Sequence, residues 1–283
     1  MTEQPRPFRT RASLREDLQR LGVRPGDLVM VHAAMSRMGR LLNGPDAFIA
    51  ALLDAVGPEG TILAYTDWDA LYYELLDDNG RAPPEWRQHV PPYDPASSRA
   101  TRDNGVLVEF IRTTPGARRS GNPGASVAAI GALADWITSD HPLDYGYGEG
   151  SPFAKLTEAH GKVLMAGAPF DTMTLLHHAE HLARIPGKRL RRYEVPLGTP
   201  DGVQWRVVEE FETSLPVVPE LDGDCFTTIV DDFLASGQGS QGQIGEAPSI
   251  LVDAAAICGF ATAWLERKVG DPGEASGLHP SNE

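Results

Sequence analysis

The sequence predicts an α/β protein in which helices cover both faces of a central sheet. Short apolar runs of strand length alternate along the chain with longer amphipathic segments of helical period. The runs are continuously apolar, which is typical of strands buried on both faces. With 283 residues and 41% hydrophobic content, the chain can build a substantial core without disulfides or metals. We expect one globular unit over residues 1–270.

The first elements have clear boundaries. A loose arm over residues 1–10 precedes Ser13 and Glu16, a capping-box pair that begins a helix ending at Gly22. The next predicted elements are a strand over 28–32, a helix over 45–56 and a strand over 61–65.

Residues 66–104 break this regular pattern. Repeated prolines and Gly80 exclude a long helix or strand, yet residues 70–104 contain four large aromatic residues, Tyr72, Tyr73, Trp86 and Tyr93. That aromatic content is too high for a disordered linker. We therefore predict an ordered excursion that serves as a binding loop or lid.

The second half of the chain resumes the alternation of strands and helices. Predicted strands are residues 126–130, 162–166, 203–207 and 250–252. Predicted helices are residues 104–112, 133–137, 171–184, 224–235 and 253–268. A Gly-Gln-Ser loop is expected over 237–245 and a disordered tail over 271–283. Cys225 and Cys258 lack CxxC spacing, so we assign both to the core.

The net charge bounds the possible partners. Lys and Arg total 25, Asp and Glu total 39, and the formal charge is −14. A surface of this sign repels nucleic acid and anionic membranes and favours a cationic ligand. No apolar run approaches the roughly 20 residues of a transmembrane helix, and the amino terminus lacks an apolar signal region. We expect a cytoplasmic protein that binds neither nucleic acid nor membrane.

Titratable side chains are concentrated in the predicted helix over 171–184. His177, Glu180 and His181 share one helix face, because residues three and four apart are neighbours. An imidazole held by a carboxylate is the usual general base near neutral pH. The same residues also spell His-x-x-Glu-His, a zinc-peptidase signature, for which Glu209, Glu210 or Glu246 could supply a third ligand. The helix alone leaves both interpretations open.

An ordered series of short motifs extends over most of the chain. The motifs are Gly22-Val-Arg-Pro-Gly-Asp-Leu28, Val31-His-Ala-Ala-Met-Ser36, Gly57-Pro-Glu-Gly-Thr61, Tyr65-Thr-Asp-Trp-Asp69, Tyr93-Asp-Pro-Ala96, Pro115-Gly-Ala-Arg-Arg-Ser120, Gly148-Glu-Gly-Ser-Pro152, Gly167-Ala-Pro169, Thr174-Leu-Leu-His-His-Ala-Glu180 and Ile185-Pro-Gly-Lys-Arg189. Together they resemble the aminoglycoside 3-N-acetyltransferase family. One departure is Asn122, where the family commonly has histidine.

The resemblance implies both a fold and a reaction. The fold is a three-layer α/β/α arrangement around a mixed sheet, distinct from that of the common N-acetyltransferase superfamily. The reaction is acetyl-CoA-dependent acetylation of the 3-amino group of 2-deoxystreptamine aminoglycosides, which confers antibiotic resistance and needs no metal. His177 matches the family's catalytic histidine. The resemblance favours Glu210 as the carboxylate that orients it, with Glu180 and Glu212 as alternatives.

The remaining site residues are predicted from their position on loops at strand ends, where ligands of α/β sheets bind. Acidic and aromatic side chains there can hold ammonium groups and stack on sugar rings. The predicted substrate-binding residues are Tyr65, Asp67, Trp68, Asp69, Glu74, Asp144, Tyr147, Glu180 and Glu212. The predicted CoA-binding residues are His32, Ser36, Arg37, Met38, Gly39, Arg119 and Ser120.

Three questions stay open at this point. A zinc peptidase and a non-catalytic binder of cationic ligands are the alternative functions. The oligomeric state, monomer or homodimer, and the range of aminoglycosides accepted do not follow from the sequence.

Overall fold

A mixed seven-stranded sheet runs through the centre of the protein, whose computed structural model describes residues 7–270. Its strands are β1 (Leu28–Ala33), β2 (Thr61–Tyr65), β3 (Arg118–Arg119), β4 (Val127–Gly131), β5 (Lys162–Ala166), β8 (Ser240–Ile244) and β9 (Ala247–Asp253). They lie in the order β3-β4-β2-β1-β5-β9-β8. A separate hairpin consists of β6 (Leu190–Thr199) and β7 (Gly202–Phe211).

Helices cover both faces of this sheet, as predicted. They are α1 (Arg11–Leu21), α2 (Gly44–Val56), α3 (Pro84–Arg87), α4 (Val106–Thr113), α5 (Ala134–Thr138), α6 (Pro152–Glu158), α7 (Leu175–Leu182), α8 (Cys225–Ala235) and α9 (Ala254–Val269). Alternate residues of β1 face opposite cores: Val29 and Val31 pack with α1, α2 and α4, whereas Leu28 and Met30 pack with α5 to α9. The three-layer prediction is therefore confirmed.

The direction of the strands determines where a site can form. β1 is parallel to both β2 and β5, and β4 is antiparallel to β2. The register pairs Ala33 with Ala166 and Tyr65 with Val127. The carboxyl ends of β1, β2 and β5 and the amino end of β4 consequently meet at one edge of the sheet, which we call the catalytic edge.

The excursion over residues 66–104 packs against the β6–β7 hairpin. Trp68, Tyr72 and Tyr93 form a small aromatic core of their own. The buried carboxylate of Glu194, on β6, accepts hydrogen bonds from Arg81 (3.1 Å) and Arg87 (2.5 Å). Two charge-assisted contacts thus join the excursion to the hairpin.

Two predicted elements differ from the structure, and one long strand had no predicted counterpart. The helix expected over 171–184 begins only at Leu175, and residues 170–172 form a 3-10 turn without a side-chain cap. The loop expected over 237–245 contains strand β8, a polar edge strand paired with β9. Strand β6 was not predicted at all. The predicted tail over 271–283 lies outside the described residues.

Both cysteines are buried, as predicted for core residues. In the stretch from residue 7 to residue 270, no helix has the length and apolar character to cross a membrane.

Candidate active site

Helix α7 carries the candidate catalytic residues and begins close to the catalytic edge. After β5, Gly167 adopts a positive φ of 69°, and a Cβ there would lie 2.9 Å from that of Ala247. Leu175, Leu176 and Ala179 have no exposed surface and anchor the helix in the core. The opposite face is left for His177 and its neighbours.

His177 forms a dyad with Glu180. Its Nδ1 lies 2.7 Å from Oε2 of Glu180, one helical turn further along the chain. The Glu180 side chain is only 5% exposed, whereas that of His177 is 18% exposed. An ionised Glu180 fixes the proton of the neutral imidazole on Nδ1, so the Nε2 lone pair remains available as a base. The ring is held between Tyr147 and Phe226, with ring centroids at 5.1 Å and 4.9 Å.

Glu210 does not contact His177, contrary to the sequence-based preference. Its Oε1 lies 2.8 Å from Nε2 of His181 and also accepts a hydrogen bond from the backbone N–H of Phe211. The register of β7 directs Glu210 toward His181, one helical turn beyond His177. The helix thus presents two separate histidine–carboxylate pairs, and the carboxylate that contacts His177 is Glu180.

A cluster of tyrosines lies beside the His177 ring. The hydroxyls of Tyr65 and Tyr147 are 2.8 Å apart, and each is within hydrogen-bonding distance of the carbonyl oxygen of Gly124. Tyr193 approaches the same point, because a Cβ on Gly124 would lie 2.6 Å from its hydroxyl. Glycine is therefore needed at position 124 to let three phenols converge.

Carboxylates surround this tyrosine cluster. Burial and then the negative charges of Glu210 and Asp67 raise the pKa of Tyr193, and Glu212 adds a smaller effect. Burial also raises the pKa of Asp67 to about 7. Its Oδ1 is buried and has no hydrogen-bond partner in the described part of the chain, and its backbone has a positive φ of 48°. The phenols therefore lie in a region of negative charge.

Several predicted substrate residues have structural contacts instead. Trp68 lies in the aromatic core of the excursion, and Asp69 is paired with Arg102 at 3.2 Å. Asp144 accepts from the backbone N–H of Glu209 at 2.9 Å and pairs with Arg206 at 3.2 Å. Glu74 is exposed on a 3-10 turn. Their substrate role stays a prediction. Tyr65, Asp67, Tyr147 and Glu212 of the predicted set lie in or near the tyrosine cluster.

The loop that carries Tyr147 is braced by two buried polar residues. His141 Nδ1 lies 2.8 Å from Oγ of Ser120, and its Nε2 lies 2.7 Å from the carbonyl oxygen of Gly146. Asn122 donates to the carbonyl of Pro142 at 2.7 Å and accepts from the N–H of Gly124 at 2.9 Å. Ser120, which was predicted to bind CoA, is buried and belongs to this hydrogen-bonded network.

The predicted CoA-binding residues divide into two groups. Ser36 and Arg37 lie at the end of β1, and Arg37 Nη1 donates to the carbonyl of Gly167 at 3.1 Å. Met38 has no exposed surface and belongs to the core. Arg119 donates to the carbonyls of Ser98 and Asp67 on the excursion, and its strand is separated from β1 by β4 and β2. The Arg37 group remains as a candidate anion site.

Gly39 follows Met38 with a positive φ of 83°, and a Cβ there would lie within 2.8 Å of the Glu246 carboxylate. This close approach explains glycine at position 39 without a ligand.

Two cavities open at the catalytic edge. The first, of about 310 Å³, contains Arg37 and runs along Ala168 and Pro169 toward β9. The second, of about 200 Å³, is lined by the ends of β1, β2 and the first turn of α4, and it includes His32 and Tyr65. Both cavities are lined by Ala168 and Pro169, so they adjoin each other.

Comparison with known proteins identifies the family. The sequence model of the aminoglycoside 3-N-acetyltransferase family matches residues 30–266. The chain belongs to this family. It is 42% identical over 264 residues to aminoglycoside N(3)-acetyltransferase III of Pseudomonas aeruginosa, covering 93% of this chain and 95% of that protein. It is 44% identical over 271 residues to aminoglycoside N(3)-acetyltransferase VIII of Streptomyces fradiae, covering 92% and 93%.

Solved structures of family members share the whole fold. A binary complex of AAC-IIIb with CoASH is 67% identical, with a TM-score of 0.93 over 94% of this chain and 99% of that one. AAC-VIa bound to sisomicin is 38% identical, with a TM-score of 0.89 over 94% and 100%. The resemblance inferred from the motifs is confirmed, and with it the assignment to the acyltransferases.

The zinc-peptidase alternative finds no support in this family member. His177 and His181 point toward different carboxylates, Glu180 and Glu210. Within residues 7–270 no group of three His, Cys, Asp or Glu residues is arranged to hold a metal ion. The two histidines therefore act as separate hydrogen-bonded pairs.

Proposed function

We propose that the protein transfers the acetyl group of acetyl-CoA to the 3-amino group of a 2-deoxystreptamine aminoglycoside. The observation that carries the proposal is the His177–Glu180 dyad, which lies beside the ring of Tyr147 in a chain of this family. Relatives that share this fold are described in complexes with CoASH and with sisomicin. The phenol rings and carboxylates near His177 suit a substrate that is both sugar-like and polycationic.

His177 acts as the general base. An ammonium cannot attack a thioester until it has lost a proton, and positioned proton transfer typically contributes about 10²- to 10⁴-fold in rate. As the nitrogen attacks the thioester carbon, its proton passes to Nε2 of His177 and the imidazole becomes positively charged. Glu180, hydrogen-bonded to Nδ1, stabilises that charge and keeps the ring in position. The C–S bond then breaks, CoA leaves as the thiol after protonation, and no residue of the chain is acylated.

The carboxylates around Tyr193 hold the other ammonium groups of the substrate. Asp67, Glu210 and Glu212 all lie near this phenol. Charges that are partly buried attract a polycation more strongly than exposed ones do. Orientation by several ammonium contacts brings one particular amine to Nε2 of His177.

Acetyl-CoA binds from the opposite side of the catalytic edge. The guanidinium of Arg37 and the backbone amides of the turn after β1 are suited to a pyrophosphate group. The adjoining cavities provide a path along Ala168 and Pro169 to Tyr65, which contacts Tyr147 beside His177. Because acetyl-CoA is an intracellular metabolite, we also place the reaction in the cytoplasm, with the described residues acting as one catalytic unit.

The test is release of CoA thiol when the protein is mixed with acetyl-CoA and sisomicin or gentamicin. We expect release that depends on the aminoglycoside, a product acetylated on the 3-amino group by NMR, and raised aminoglycoside resistance in cells that express the protein. His177→Ala should bind both ligands and release thiol about 10²- to 10⁴-fold more slowly. Binding of the aminoglycoside without turnover would support the non-catalytic binder instead, and acetylation of another amine would overturn the regiochemistry.

A further inference from the structure

The cavity beside β1 contains two polar atoms that the folded chain does not use. Nε2 of His32 and Nδ2 of Asn104 are both buried, and neither has a hydrogen-bond partner within the described residues. Both residues line the same cavity of about 200 Å³. Buried polar groups are hydrogen-bonded in the great majority of cases, so two unpaired polar atoms (the orphan atoms below) in one cavity require an explanation.

The two groups come from different parts of the fold. His32 lies on β1, in the centre of the sheet, whereas Asn104 ends the 3-10 turn that precedes α4. His32 as a whole is half-buried and lines the cavity, and its Nε2 is buried. Burial lowers the pKa of His32 to about 4, so the ring is neutral near pH 7 and has one N–H and one lone pair. The cavity thus presents uncharged hydrogen-bonding groups.

The remaining lining limits what can bind there. Val31, Leu107 and Val108 supply apolar walls, and Asp103 contributes an acidic group at the cavity. A phosphate would meet this carboxylate and no cationic side chain among the lining residues. The complementary ligand is a neutral chain that carries an amide, with one C=O acceptor and one N–H donor.

We propose that His32 and Asn104 recognise an amide of the pantetheine arm of the acyl donor, an inference that depends on the proposed acetyl-CoA chemistry. Asn104 Nδ2 donates to the amide carbonyl, and the His32 imidazole accepts from the amide N–H. His177 is not among the residues that line this cavity. The orphan atoms therefore contact the arm rather than the reacting carbonyl, whose oxyanion forms next to His177.

Acyl donors with and without an amide test this proposal. Transfer rates to sisomicin are measured with acetyl-CoA, with N,S-diacetylcysteamine, which keeps one amide, and with S-ethyl thioacetate, which has none. His32→Leu and Asn104→Leu should each lower kcat/KM for acetyl-CoA about five- to tenfold, the usual effect of one hydrogen bond. At least one variant should show a similar loss with N,S-diacetylcysteamine, and neither should change the rate with S-ethyl thioacetate by more than about twofold. Val108→Ala alters the same wall without a polar atom and should affect all donors alike.

Thermal unfolding supplies a second measurement that is independent of turnover. Because neither orphan atom is bonded in the free protein, both leucine variants should unfold at or above the wild-type temperature. The stabilisation produced by added CoA should be smaller in both variants than in the wild type. Equal losses with all three donors, no loss with acetyl-CoA, or variants that unfold well below the wild type would overturn the proposal.

The two proposals fail in distinguishable ways. A wild-type protein that binds CoA but transfers no acetyl group would contradict the proposed function. The shifts in unfolding temperature that CoA produces in the wild type and in the two variants would still decide whether His32 and Asn104 contact the arm.

Discussion

Glu180→Gln separates the two histidine–carboxylate pairs of helix α7. The substitution preserves the size of a side chain that is 5% exposed, but it replaces a charged acceptor 2.7 Å from His177 Nδ1 with a neutral amide. A hydrogen bond to a charged group is worth about 1.5–3 kcal/mol, and a neutral one about 0.5–1.5 kcal/mol. Since the imidazole becomes charged only as the amine attacks, most of this difference is lost in the transition state.

The expected result is a kcat about 8-fold below that of the wild type, and at most about 70-fold below it, with KM for both substrates nearly unchanged. The assay follows CoA thiol release at saturating sisomicin and acetyl-CoA. Glu210→Gln is the matched control, because it makes the same chemical change 2.8 Å from Nε2 of His181. That variant should lose stability by about 1–3 kcal/mol through its buried hydrogen bonds while its kcat falls far less.

The opposite pattern would refute this reasoning. If Glu210→Gln reduced kcat strongly while Glu180→Gln remained near the wild type, the carboxylate favoured by the family resemblance would be the orienting group. The contacts of His177 in the free protein would then differ from those in the reacting complex.

Three further predictions follow from the structure. Burial raises the pKa of Asp67 to about 7 from an ordinary value of 3.8, so between those pH values only the folded state binds this proton. The free energy of unfolding should therefore fall as pH rises from about 4 to 7. In thermal unfolding, Asp67→Asn should show a smaller decrease over this pH range than the wild type. Because His177 and His181 are each bonded to a separate carboxylate, thiol release should persist in excess EDTA, and loss of activity that zinc restores would revive a metal site. Glu194→Gln should lower the free energy of unfolding by about 2 kcal/mol in urea titrations, since it leaves Arg81 and Arg87 without their buried partner, and an unchanged midpoint would show that these contacts contribute little.

Local patterns explain which elements could be predicted from the sequence. Residues 61–65 and 162–166 were predicted with their observed bounds, because a buried strand is a continuous apolar run. Strand β8 reads Ser-Gln-Gly-Gln-Ile and has four exposed residues, so it carries no apolar signal and is held by its pairing with β9. In β6 the signal is interrupted by Arg191, Arg192 and the buried Glu194, whose burial depends on arginines about 110 positions away.

The site was predictable only where its contacts are local. Spacing along one helix placed Glu180 on the same face as His177, and this is the pair that the structure contains. The choice between Glu180 and Glu210 depended on what His181 contacts, which is set by the position of β7. Tyr65, Tyr147, Tyr193 and Gly124 meet from four separate segments of the chain, and no local sequence pattern predicts this.

Asn122 illustrates how a departure from a family pattern acquires a physical meaning. Its side chain makes four hydrogen bonds: Nδ2 donates to the carbonyls of Pro142 (2.7 Å) and Leu143 (3.2 Å), and Oδ1 accepts from the N–H groups of Gly124 and Ala125 (both 2.9 Å). A histidine has two ring nitrogens and cannot replace all four contacts. Asparagine therefore holds Gly124, whose carbonyl receives the phenols of Tyr65 and Tyr147, against the loop that brings Tyr147 to His177. The residue that departs from the family pattern is thus linked to His177 through Gly124 and Tyr147, without contacting it.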